Sequence, residues 1–229
     1  MKHLMFVSLL TLTLINVALP SAAQTPALQQ GVNVQMAVTS NAQPMPAADD
    51  QDAWVIAVTA DGKLFLGARR ESTEGLLEQM KINPRRREQN VYIKADARAS
   101  FADVKKALQV ARASGFDSPV LLTTQHESAQ SGVMVPPKGL PILLSPTRAT
   151  SEATVLEIGG TTNEATAEIN GARTEWKNLQ SSLAESLQGR PSKVVVVHVD
   201  DRLPFGSVAQ AIDICQSAGA KIFLPTPTI

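Results

Sequence analysis

The chain has 229 residues, with 21 Lys plus Arg set against 21 Asp plus Glu, so its formal net charge is zero. That balance argues against nucleic acid as a partner, because a basic excess is what neutralises phosphates. One cysteine, Cys215, excludes an intrachain disulfide, and an aromatic content of 4% leaves little surface for stacking on sugars or bases.

The N-terminus reads as an export signal. Lys2 and His3 precede an apolar run from Leu4 to Leu19, and Pro20-Ser21-Ala22-Ala23-Gln24 follows, with small residues where a signal peptidase reads them. Residues 1–23 are expected to be a signal peptide cleaved after Ala23, or an uncleaved signal anchor. The run is shorter than the ~20 apolar residues of a spanning helix. In both cases Gln24 onward is exported, leaving about 200 residues, enough for one large domain or two small ones.

Thr25 to Gly31 is a polar spacer. Val32-Asn33-Val34-Gln35-Met36-Ala37-Val38 alternates apolar and polar residues, which predicts a half-buried strand. Thr39 to Asp52 is rich in Pro, Ala, Asn and Asp and is expected to be a mobile loop. Trp54 to Ala60 and Lys63 to Leu66 are strands around Asp61-Gly62, a strong hairpin signal. Ser72 to Lys81 is a short helix capped by Ser72 or Thr73. The basic cluster KINPRRR, Lys81 to Arg87, is read as a solvated loop broken by Pro84.

A strand–turn–helix–strand unit then occurs twice. Val91 to Leu122 and Val195 to Leu224 share their landmarks at a constant offset of 104 residues. Val91 meets Val195, Asp96 meets Asp200, Arg98 meets Arg202, Phe101 meets Phe205 and Gly115 meets Gly219. Similarity at a fixed offset is the mark of duplication. In the first copy, Ser100 and Asp103 resemble a capping box, and Val104, Ala107, Leu108 and Ala111 form one apolar stripe. Val208, Ala211, Ile212 and Cys215 form the stripe of the second, where Pro204 suits a first helical turn.

Residues 126–139, which contain the double proline Pro136-Pro137, are expected to link a first domain (24–125) to a second (140–229). In the second half, Leu140 to Leu144 is read as the opening strand, with Pro141 confining it to a sheet edge, and Ala153 to Ile158 as an added strand. Asn170-Gly171 is placed where Asp61-Gly62 stood, and Trp176 to Leu187 is a helix. The expected fold class is α+β: two tandem small domains, each a short mixed β-sheet with two helices packed on one face.

No catalytic, cofactor or metal constellation emerges. His198 and Asp200 share a strand face, but the first copy has Lys94 at the matching place and no third ligand lies nearby. Asp96 and Asp200 each follow a strand and precede a helix, where a carboxylate bonds the turn backbone. Edges remain: Val32, Asn33, Val34, Gln35 and Met36 form a strand suited to pairing with a partner.

GVNVQM (Gly31 to Met36), VIAVTADGKLFLG (Val55 to Gly67) and VYIKADARASFADVKKALQVARASGF (Val91 to Phe116) together resemble the periplasmic part of the ExbD/TolR biopolymer-transport family. The second half is similar over Asn170 to Leu224. The resemblance implies an ExbD/TolR-like periplasmic fold in tandem and a non-enzymatic role in proton-motive-force-driven transport. It implies an ExbB/TolQ-like multi-span partner, a TonB/TolA-like partner and a homodimer, with peptidoglycan binding in some members. It places the chain in the bacterial envelope, in the periplasm or on the periplasmic face of the inner membrane. The family's membrane helix carries an aspartate, and Leu4 to Leu19 holds no acidic residue. The reading is therefore an accessory or regulatory component of a Ton/Tol-type system, with a peptidoglycan-binding or scaffold module lacking a transport role as the alternative.

Overall fold

The computed structural model describes residues 31–82, 90–125, 136–145, 153–161 and 164–227. The apolar N-terminal run, Arg85 to Arg87 and residues 126–135 of the expected linker lie outside them.

In the first half, β1 is Gln43–Pro44, β2 Trp54–Val58, β3 Leu64–Leu66, β4 Arg69–Glu71, β5 Val91–Ala95, β6 Val120–Thr123 and β7 Lys138–Pro141, with helices α1 Thr73–Ile82 and α2 Phe101–Ala113. The sheet runs β1-β7-β6-β5-β2-β3-β4. Its centre is parallel, β5 lying between β2 and β6, and its flanks are antiparallel. In the second half, β8 is Leu143–Ser145, β9 Thr154–Gly160, β10 Ala165–Ile169, β11 Ala172–Thr174, β12 Val194–Val199 and β13 Lys221–Pro225, with α3 Leu179–Leu187 and α4 Phe205–Ser217. That sheet runs β11-β10-β9-β12-β13-β8. The chain is thus α+β in two tandem halves, each a mixed sheet with two helices on one face.

The repeated helices form for the reasons their sequences give. Ser100 Oγ accepts from the Asp103 N–H and donates to its carboxylate, which stops the α2 N-terminus from fraying. Val104, Ala107, Leu108 and Ala111, and in α4 Val208, Ala211, Ile212 and Cys215, are fully buried. Burial pushes the Cys215 thiol up to about 12, so it packs as a small apolar group. The inner faces of both sheets and all four helices belong to one continuous apolar core. Each large side chain in it is worth about 1.5–3 kcal/mol of burial.

Four expectations are corrected. Thr39 to Asp52 is ordered rather than mobile: β1 pairs with β7, a 3₁₀ turn spans Pro46–Asp49, and Ala42, Ala48 and Thr39 are buried. Val32 to Val38 is not a ladder strand. It is an extended segment crossing the ends of β5 and β6, with single bridges from Met36 to Asp96 and from Val38 to Thr124. Leu140 to Leu144 is not one strand, because the chain breaks at Ile142, whose N–H donates to Pro119 O. Lys138 to Pro141 therefore closes the first sheet, while β8 runs parallel to β13 in the second. Finally, β9 pairs with β12 as β2 does with β5, so the Asn170-Gly171 turn between β10 and β11 matches the Gly67 turn and not Asp61-Gly62.

The segment from Met36 to Ala53 does more than connect. It covers the outer face of the first sheet, where Met36, Met45, Ala48 and Ala53 pack on Val55, Tyr92, Val120 and Leu122. Asp213 of α4 anchors it from the other half, accepting from Ser40 N–H, Asn41 N–H and Asn41 Nδ2 at 2.8–3.0 Å.

Candidate functional site

The two copies meet across a local two-fold. Phe101 N–H donates to Leu203 O and Phe205 N–H to Ala99 O, both at 2.8 Å. Ala102 N–H donates to Asp201 O at 2.9 Å and Gly206 N–H to Ala97 O at 2.8 Å. Under the 104-residue offset each bond is the image of another, and the Ser100–Pro204 bridge sits on the axis. This is the geometry of a homodimer's isologous interface, made within one chain. A Cβ on Gly206 would stand 3.2 Å from Ala97 O, so the close approach there favours glycine.

Beside this axis lie the two aspartate turns, built alike. Asp96 N–H donates to Val58 O at 2.8 Å and Asp200 N–H to Ile158 O at 2.9 Å. Each carboxylate accepts the N–H of the arginine two residues on, at 3.0 Å, and a two-pronged contact from its guanidinium. The carboxylates thus hold the strand-to-helix turn, as the sequence suggests. The Arg98 guanidinium holds Asp96 well below the usual carboxylate range against the opposing effect of burial, and Arg202 lowers Asp200 to about 2.

What lies against the turns differs. In the first half Gln35 N–H donates to Asp96 Oδ2 at 3.0 Å and Ala97 N–H donates back to Gln35 O at 2.8 Å. Of the five residues expected to bind a partner, Gln35 and Met36 are therefore engaged within the chain, while Val32 and Val34 are half-buried and Asn33 is exposed. In the second half no segment fills the matching place among the described residues, and Asp201 N–H has no acceptor there. The side chain of Asp96 is 4% exposed and that of Asp200 is 26% exposed. A cleft of about 270 Å³ opens beside Asp200, lined by Glu157, Glu168, Thr166 and His198.

His198 and Asp200 both border this cleft, but no group of three or more His, Cys, Asp or Glu that could hold a metal occurs among the described residues. Sequence reasoning missed Asp213, Glu157 and Glu168. Asp213 had a signal, a carboxylate set between Ile212 and Ile214 on a largely apolar helix; the two glutamates had none, because only strand pairing brings them together.

The model of one protein family, Biopolymer transport protein ExbD/TolR, matches residues 4–126 and again residues 127–226. No curated protein and no solved structure matches the chain.

Proposed function

The chain belongs to the ExbD/TolR biopolymer-transport family over both of its halves, and on that premise we propose that it is an accessory or regulatory, non-enzymatic component of a Ton/Tol-type system. The observation that carries this reading is the double family match joined to the internal two-fold pairing. Two family units in one chain, bonded as an isologous pair, supply the pairing that the resemblance assigns to two chains. The proposed partners are an ExbB/TolQ-like multi-span protein and a TonB/TolA-like protein, and the proposed site is the periplasm or the periplasmic face of the inner membrane. Val32 to Met36, which leads into the Asp96 turn, is proposed to carry part of the partner contact.

Leu4 to Leu19 contains no acidic residue. An intramembrane carboxylate is costly and retained for function, so the accessory role is preferred to proton conduction by this chain. Among the described residues no helix is long and apolar enough to cross a membrane.

The test is purification of the full-length chain from detergent-solubilised envelopes, with the mass of its mature N-terminus. Co-purification with a multi-span partner is expected. Retention on purified sacculi with no such partner would instead establish the peptidoglycan-binding scaffold.

A further inference from the structure

The first half shows how an aspartate turn of this fold receives a strand, and the second half carries the same receptor without one. The Asp96 receptor has two main-chain contacts: a carboxylate oxygen that accepts Gln35 N–H and the Ala97 N–H that donates to Gln35 O. Asp200 reproduces the carboxylate with the same arginine clamp, and Asp201 N–H stands in the place of Ala97 N–H. The next residue of the bound segment, Met36, enters the outer face of the first sheet.

On that face the two halves carry opposite charge. The row across four strands in the first half is Arg70, Phe65, Ala57 and Lys94. The matching row in the second half is Arg173, Glu168, Glu157 and His198. Both rows end in an arginine, and where the first half has Phe65, Ala57 and Lys94 the second has two carboxylates and an imidazole, which line the open cleft. Neither glutamate side chain has a hydrogen bond or ion pair among the described residues. In the first half the apolar Met36 packs on the outer-face cluster of Val55, Tyr92, Val120 and Leu122, whereas a lysine or arginine complements the two carboxylates of the second.

We propose that the Asp200 turn is a docking slot for an extended segment of a partner protein bearing a lysine or arginine. One partner residue bonds Asp200 Oδ2 and Asp201 N–H through its main chain, and the following residue places its cationic side chain between Glu157 and Glu168. The main chain gives strand-like binding and the carboxylates give selectivity. This deepens the partner-binding reading above by naming the chemistry of one contact.

The test uses the full chain and the capped heptapeptide VNVQKAV, which copies Val32 to Val38 with lysine at the Met36 position; VNVQEAV and the natural VNVQMAV are controls. Binding of the lysine peptide is expected, about tenfold tighter than the glutamate peptide, a difference of ~1.4 kcal/mol. Its largest amide NMR shift is expected at Asp201, with Ala97 unmoved. The E157Q/E168Q variant, altered only on the sheet surface, is expected to lose the preference while keeping the parent spectrum elsewhere. No shift at about 1 mM peptide, the weak end of specific binding, would overturn the slot, as would shifts confined to the first half. Binding without charge preference would overturn the basic partner. Equal binding of VNVQMAV together with a dimeric mass would assign the slot to a second copy instead. None of these failures alters co-purification with a multi-span partner, on which the family role is judged.

Discussion

Asp96 and Asp200 grip their turns through the same bonds and the same arginine spacing, yet one is sealed by the chain's own Gln35 and the other faces a cleft. The turn is encoded within a few residues, so duplication copied it intact. Its cover is encoded upstream, in a stretch where the two halves no longer match. Met36 to Ala53 wraps the first sheet, whereas the chain before β9 contributes the short β8, parallel to β13 where β7 is antiparallel to β6. The receptor persisted while what occupies it diverged.

The sharpest way to break the comparison is at the axis the halves share. Phe101 and Phe205 are image positions, both buried. Phe101→Ala and Phe205→Ala are each expected to cost about 3–5 kcal/mol, the usual cost of emptying a buried phenylalanine site. Urea unfolding followed separately by the fluorescence of Trp54 and Trp176, one in each half, should show one shared transition shifted equally by either change. Two separated transitions would show that the halves fold independently despite the common core.

Asp96→Ala and Asp200→Ala test the difference between the turns. Removing Asp96 strands the Gln35 and Arg98 N–H groups and is expected to cost about 1–3 kcal/mol. The same change at Asp200, an exposed ion pair with no covering strand, should leave the unfolding midpoint near that of the parent. Equal losses would mean that the cover adds nothing to the Asp96 turn.

Asp213→Ala removes the acceptor of three donors in the covering segment and is expected to destabilise by about 1–2 kcal/mol. Hydrogen exchange should accelerate from Ser40 to Met45 while α4 stays protected. A uniform increase would show that Asp213 supports the helix and not the wrap.

The smallest effect is electrostatic. Both turn aspartates are lowered by their arginines, Asp200 to about 2 and Asp96 further. A lowered folded value gives stability that is full above the unfolded carboxylate pKa of about 4 and is lost as pH falls through the folded value. Carboxyl NMR titration should therefore find Asp200 protonating near 2, before Asp96 on acidification. The reverse order would mean that burial under Gln35 outweighs its hydrogen bond.

The duplicated strands, helices and caps were legible because each is dictated locally, by apolar stripes such as Val104 to Ala111 and by Ser100 at a helix start. The order of residues 39–52 was not, since their Pro- and Ala-rich composition reads as loop and their partners, β7 and Asp213, lie far along the chain. Asn-Gly fixes a turn but not which pair of strands it joins, so the sequence alone matches Asn170-Gly171 to the wrong hairpin. Both aspartate turns could be found in the sequence; their unequal occupancy depends on what crosses the strand ends, which only the fold reveals.

The bonds around Ser100 and Pro204 carry one more consequence. Two separate chains pairing there would obey mass action and come apart on dilution. Joined in one polypeptide, with only the buried Ile142 between β7 of the first sheet and β8 of the second, the partners meet within the molecule and dilution does not separate them. The pairing is thus independent of how many copies a cell makes, and a substitution on one side of the axis no longer has to be acceptable on the other.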